Sequence, residues 1–302
     1  MQIISGKVKK PFNVLLYGQP GAGKSTWASK APNPIFIASD ELDELDSDRG
    51  EKVTTLKAVN EQLDWLIKND HKYNTIVVDT IDAIEKMAHQ EILAGEKSDK
   101  TRSLNKACGG YGNAFDIAVD KLTGIRDKLA TLREAKKMNV ITLCHSMTKV
   151  TNDPLLGDSY TEYYLSLHQK VQSLFIDWVS AVLFLAFSVT KSDKDKFAYG
   201  DGERVIHTQK KPGFEAKNRY HLDPAIACPE SDPFSSFWEG YQSYFELDTP
   251  PADKILASID ALMVNVTDDA MKEKAAVMVG KYKDNPAKLL KVKANIEQFI
   301  GG

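Results

Sequence analysis

The stretch Asn13-Val14-Leu15-Leu16-Tyr17-Gly18-Gln19-Pro20-Gly21-Ala22-Gly23-Lys24-Ser25-Thr26 decides how the rest of the chain is read. It sets an apolar strand, a glycine-rich turn and the opening of a helix in that order. Gly18, Gly23, Lys24 and Ser25 fill the P-loop pattern G-x-x-x-x-G-K-[ST]. Glycine reaches backbone angles closed to residues with a Cβ, so the run from Gly18 to Gly23 can turn its N–H groups inward around phosphate oxygens. Lys24 is placed to reach the β- and γ-phosphates, the Ser25 hydroxyl to take one Mg²⁺ position, and Thr26 continues a helix whose positive end points at the same spot. A chance glycine loop would lack the flanking strand and helix. The pattern predicts a nucleoside triphosphate site, with ATP and Mg²⁺ as its cofactors.

The rest of the composition sets bounds. With 302 residues the chain can hold one large α/β domain and a smaller appendage. It is 42% hydrophobic and 27% charged, and no stretch approaches the roughly 18 apolar residues that span a bilayer. Residues 1–10 are basic without an apolar run, unlike a secretory signal. A net charge of -3 neither demands nor excludes nucleic acid, so any DNA contact must be local. Cys108, Cys144 and Cys228 lack metal-ligand spacing and read as reduced thiols of a cytoplasmic protein.

Outward from the P-loop, apolar runs at Phe12 to Tyr17, Pro34 to Ala38, Tyr73 to Asp79, Asn139 to His145 and Ser180 to Val189 predict buried strands. Helical spacing over Leu56 to Lys68, Ile81 to Leu93, Ala114 to Lys136 and Leu167 to Trp178 places helices between them. The alternation predicts an α/β fold, a mostly parallel sheet with helices on both faces. Lys149 to Tyr164, polar and broken by Pro154 and Gly157, reads as a loop, and Phe197 to Thr208 as a hairpin around Gly200-Asp201-Gly202. A helix at Ser235 to Phe245 and three more through Ile300 complete the chain. The expected division is a core over 1–230 and a helical region over 231–302.

Several residues then fall into chemical roles. Asp79 ends a buried strand as a Walker B aspartate does, and would hold Mg²⁺ through oxygen ligands. Thr80 follows it, so a water-positioning carboxylate must come from elsewhere. RecA-type ATPases carry it at the end of the strand after the P-loop helix, where this chain has Asp40 and Glu41. His145 ends a strand that in the RecA-type sheet lies between the P-loop and Walker B strands, a place from which a polar group can sense the γ-phosphate. In Lys217-Asn218-Arg219, strand alternation puts both cations on one face. RecA-type recombinases and ring helicases use such a pair on a neighbouring subunit's γ-phosphate.

On these residues the chain resembles phage-encoded P-loop proteins with a RecA-like core, an AAA-type nucleotide-binding family that includes single-strand annealing recombinases. The likeness rests on Gly18 to Thr26, Val77 to Thr80, Ile141 to His145 and Glu215 to Tyr220, with Asp158 to Trp178 also similar, and spans roughly residues 10–225. That family carries Glu in a Glu-Gly-Gly context after the second strand. Here the sequence is Ser39-Asp40-Glu41-Leu42, which leaves the carboxylate open between Asp40 and Glu41. The resemblance implies ATP-dependent binding or annealing of single-stranded DNA in phage recombination or replication. It also implies a homo-oligomer, ring or filament, in the host cytoplasm, with sites between subunits and a single-strand binding protein as a companion.

DNA contact finds candidates in Lys149, Tyr160, Tyr163, Tyr164 and Lys170, tyrosines interleaved with cations as stacking and phosphate contact require. Towards the C-terminus Lys272, Lys274, Lys281, Lys283, Lys288, Lys291 and Lys293 are matched only by Glu273 and Asp284, a local positive excess. A solvated helical face gives the same pattern. Competing classes are a ring helicase or helicase loader, a small-molecule kinase, and a non-catalytic nucleotide switch that serves as an assembly platform. The kinase would need an arginine lid, for which Arg126 and Arg133 on a helix are poor candidates.

Overall fold

Residues 8–97, 103–152, 159–188, 202–246, 252–266, 268–283 and 286–301 are described by a computed structural model of the chain. In chain order its strands are β1 (Asn13–Gly18), β2 (Pro34–Ala38), β3 (Asp48–Arg49), β4 (Thr75–Asp79), β5 (Asn139–Asn152), β6 (Ser159–Leu165), β7 (Ala181–Phe187), β8 (Arg204–His207), β9 (Lys217–Asn218) and β10 (Ala225–Ala227). The helices are α1 (Lys24–Ser29), α2 (Leu56–Lys68), α3 (Ile81–Ala94), α4 (Asn113–Glu134), α5 (Gln169–Trp178), α6 (Ser235–Glu246), α7 (Ala252–Met263), α8 (Asp269–Tyr282) and α9 (Pro286–Gly301).

The strands form one sheet in the order β10-β8-β7-β1-β5-β4-β2-β3, parallel from β7 to β3 and antiparallel at β8 and β10. All six residues of β1 and all five of β4 are buried, which is why they read as unbroken apolar runs rather than alternating ones. β5 lies between β1 and β4, as in the RecA-type order expected for it, with Gly18 level with His145 and Asp79 level with Leu143. One face of the sheet buries Leu15, Tyr17, Ile76, Val78 and Val140 against the apolar stripes of α2 to α5. An aromatic cluster holds Phe12, Trp27, Phe234, Phe237 and Tyr241, with Trp27 and Phe234 centroids 4.7 Å apart.

Two expectations change. The supposed loop over Lys149 to Tyr164 is a β-hairpin: β5 runs on past His145 to Asn152 and pairs antiparallel with β6, Ser146 opposite Leu165 and Asn152 opposite Ser159. Alternating Thr148, Val150, Thr161 and Tyr163 carry the strand propensity that the polar composition hid. Pro154 and Gly157 lie outside the described residues. The hairpin expected around Gly200 is β8 pairing with β7 on one side and β10 on the other, while Phe197 to Asp201 lie outside the described residues.

The chain divides into two compact units, residues 10–241 and residues 242–302 with 1–9. The core runs past 230 because Phe234, Phe237 and Tyr241 belong to the aromatic cluster under Phe12. In the second unit α7, α8 and α9 close over Ile255, Ile259, Ala275, Leu289, Val292 and Ile296. Asp268 caps α8, accepting from the Met271 N–H at 2.7 Å. Among the described residues no helix is long and apolar enough to cross a membrane.

Candidate nucleotide site

The loop after β1 is shaped by three glycines. Gly21 and Gly23 sit at φ 76° and 95°, in the left-handed region that side chains disfavour. A Cβ on Gly18 would stand 2.5 Å from the Leu185 carbonyl oxygen, so β1 and β7 could not approach as they do. α1 is only six residues long. Its dipole is correspondingly small, and the cradle rests on the loop N–H groups and Lys24.

Lys24 folds back over that loop, its Nζ donating to the carbonyls of Gly18 at 3.1 Å and Gln19 at 3.0 Å. Burial lowers its pKa, and the charge of Asp79 opposes the shift. The Ser25 hydroxyl donates to Asp79 Oδ2 at 2.6 Å, joining the P-loop to the end of β4. Burial raises the Asp79 pKa, while the Ser25 hydrogen bond and Lys24 pull it down. A buried carboxylate beside a hydroxyl is a hard-oxygen donor set, and a divalent cation there would relieve the burial penalty on its charge. Ser25 and Asp79 therefore fit Mg²⁺.

β2 runs beside β4, with Ala38 level with Asp79, and Ser39 returns its N–H to the Asp79 carbonyl at 2.7 Å. Asp40 follows at once, exposed and close enough for its charge to raise the Asp79 pKa. Glu41 points elsewhere, to Lys52 at 3.5 Å.

His145 at the tip of the buried half of β5 is tied to α3. Asp82 accepts from the His145 N–H at 3.0 Å and pairs with its Nδ1 at 3.1 Å. Burial alone would raise the Asp82 carboxyl, but the side-chain and backbone hydrogen bonds from His145 outweigh it and hold the pKa at about 2. One helical turn further, both Glu85 oxygens accept from the His168 N–H at 3.1 Å, and burial pushes its pKa up to about 7. Sequence reasoning missed Asp82 and Glu85. Their trace was present: two carboxylates three residues apart on the side of α3 that also carries Ile81, Ile84 and Ala88.

The remaining expected residues divide. Lys217 pairs in β9 with Val182, near the opposite end of β7 from Leu185 and the P-loop. Its Nζ donates to the Ile176 carbonyl at 2.6 Å and the Asp177 carbonyl at 3.2 Å, where α5 ends. Arg219 is exposed beside it, held by its N–H to the Ser180 carbonyl at 3.0 Å. The fold brings neither cation to this chain's own P-loop. On the hairpin, Lys149 lies over the Tyr164 ring at 3.9 Å. Tyr163 turns inward, stacking on Phe184 and accepting from Gln19 at 3.3 Å. Tyr160 is half-buried, and Lys170 pairs with Asp116.

Arg204 was also missed, because a lone arginine opening a short strand has no pattern. Its guanidinium lies 3.3 Å from where a Cβ on Gly23 would stand. A strand, glycine cradle, lysine and aspartate arranged across an intervening strand define a P-loop nucleotide-binding domain. The family model described as an AAA domain matches residues 10–220, and the chain belongs to that family of P-loop ATPases. No curated protein matches the chain.

Proposed function

We propose that the protein is an Mg²⁺-dependent, RecA-like ATPase that acts on single-stranded DNA in phage recombination or replication, as an annealing or recombinase-type homo-oligomer. The observation that carries it is the continuity of β5. Its buried half ends in His145 beside Asp82, level with Gly18, and its exposed half is the hairpin with Lys149, Tyr160 and Tyr164. Events at the γ-phosphate and contacts on the hairpin are thus linked by one strand.

In this scheme Lys24 exchanges its two loop carbonyls for β- and γ-phosphate oxygens. Ser25 and Asp79 hold the cation, which when bound neutralises charge on those oxygens. Asp40 positions the attacking water, a task of orientation more than basicity. Arg219 of each subunit serves the nucleotide of its neighbour, its planar fork bridging two phosphate oxygens. Lys149, Tyr160 and Tyr164 offer charge and stacking faces to a single strand, alongside a single-strand binding protein.

ATP turnover measured with and without single-stranded DNA tests this. Wild type should hydrolyse ATP faster with DNA, the stimulation fading steeply with salt, and Lys24→Ala should neither bind nor hydrolyse ATP. Turnover indifferent to DNA would remove the DNA role, and native ATP affinity in Lys24→Ala would remove the P-loop assignment.

A further inference from the structure

The strand order divides the site into two sides. Asp79 on β4 and Asp40 beyond β2 both stand on the β5 side of the P-loop strand. A triphosphate whose cation-bearing β/γ end faces Ser25 and Asp79 must leave its nucleoside on the other side of β1, where β7, β8 and β10 stand. Two features meet there. Arg204, opening β8 opposite Phe187, lays its guanidinium 3.3–3.4 Å from the Cβ position of Gly23. Its Nε is buried and has no hydrogen-bond partner among the described residues, and the ring of Phe187 is 5.9 Å away. A buried donor left without an acceptor is costly, so a guanidinium held this way against a phosphate cradle is suited to an incoming oxyanion. Beyond it a cavity of about 610 Å³ opens between Gly202–Arg204 and Ala227–Glu230. That lies within the roughly 300–1,000 Å³ usual for small-molecule sites.

We propose that this cleft receives the nucleoside of the bound triphosphate and that Arg204 contacts its phosphate nearest the ribose, an inference that rests on the P-loop nucleotide assignment above. Arg204 and Cys228 are adjacent, the Cys228 N–H donating to the Arg204 carbonyl at 3.0 Å, so β8 and β10 form one wall. Glu230, exposed on that wall, supplies an acceptor. Acceptors suit the donor groups of a nucleoside, the ribose hydroxyls and an exocyclic amine, and they repel phosphate, which keeps the triphosphate on the Arg204 side.

The test compares ATP with inorganic tripolyphosphate, which has the phosphates and no nucleoside, by calorimetry on the full chain. Wild type should bind both and Lys24→Ala neither; if wild type bound neither, the P-loop assignment itself would fail. Ala227 is exposed on the cleft wall, and Ala227→Trp should weaken ATP about 10-fold while tripolyphosphate keeps its affinity. Arg204→Ala should weaken ATP about 10-fold or more, and Arg204→Lys should fall between it and wild type. If Ala227→Trp lost both ligands, the affinity of Arg204→Ala for ATP would decide. Wild-type ATP affinity in both Ala227→Trp and Arg204→Ala, with tripolyphosphate still bound, would overturn the cleft and leave the P-loop standing.

Discussion

Two basic segments lie along the same strand, β7, at its two ends, and they have opposite relations to the P-loop. β8 pairs with Phe184 to Phe187 and sets Arg204 against Gly23 of the P-loop. β9 pairs with Ala181 and Val182 and sets Lys217 and Arg219 at the far end, next to Ser180. The segment with a recognisable pattern is therefore the one remote from its own phosphate cradle. The segment with no pattern touches it. Register on a common strand, rather than residue type, is what the two proposals turn on: in them Arg204 serves its own nucleotide and Arg219 a neighbour's.

The catalytic side of β1 gives the largest expected effect. Asp40→Asn should slow hydrolysis on the order of 10²-fold with nucleotide binding retained, because it removes the group proposed to position water beside Asp79. Glu41→Gln, which breaks only an exposed pair with Lys52, should stay within a few-fold of wild type. Steady-state turnover ranks the two. The reverse order would move the role to Glu41, and two harmless substitutions would favour a nucleotide switch.

A smaller effect separates Glu85 from its histidine neighbours. Burial raises its pKa from 4.5 to about 7, so between those values the folded protein holds a proton that the unfolded chain releases. Its contribution to stability is present below pH 4.5 and is lost as pH rises towards 7. Burial lowers the pKa of His89 and His168, which adds a slope of the opposite sign. The readout is therefore a difference. Between pH 5 and 7.5, urea unfolding should show wild type losing on the order of 2 kcal/mol relative to Glu85→Gln. Parallel pH profiles would mean Glu85 stays ionised in the folded protein.

The smallest effect sharpens the comparison within β9. Lys217→Ala removes a cation from the carbonyls that end α5 and should cost about 1 kcal/mol, discounted for its partial exposure. Arg219→Ala, at an exposed side chain, should change the melting temperature little. Equal destabilisation would give Arg219 a structural role as well.

Much of this was legible in the sequence, for identifiable reasons. The P-loop, Asp79 and the strand ending in His145 lie on buried parallel strands, whose unbroken apolar runs and fixed ends leave few alternatives. The position of β5 between β1 and β4 was expected from the RecA-type sheet, since apolar runs mark strands without giving their order. The hairpin was obscured because its half of β5 is largely exposed on both faces, and polar residues there read as loop. Asp82 and Glu85 were hidden by lying on a helix whose periodicity already accounted for it. Arg204 depends on the pairing of β8 with β7, a contact that no local pattern announces.

The claim that the two ends of β7 serve different nucleotides can be tested by mixing variants. An Asp79→Asn subunit has a defective site of its own and an intact Arg219, while an Arg219→Ala subunit has the converse. Mixed assemblies of these two should regain part of the wild-type ATP turnover, since some interfaces combine both intact halves. Asp79→Asn mixed with Arg204→Ala should give no more than the sum of the two alone, because both lesions lie in a subunit's own site. Turnover that stays at the sum in the first mixture, although each variant assembles, would contradict the account, as would a gain of equal size in the second.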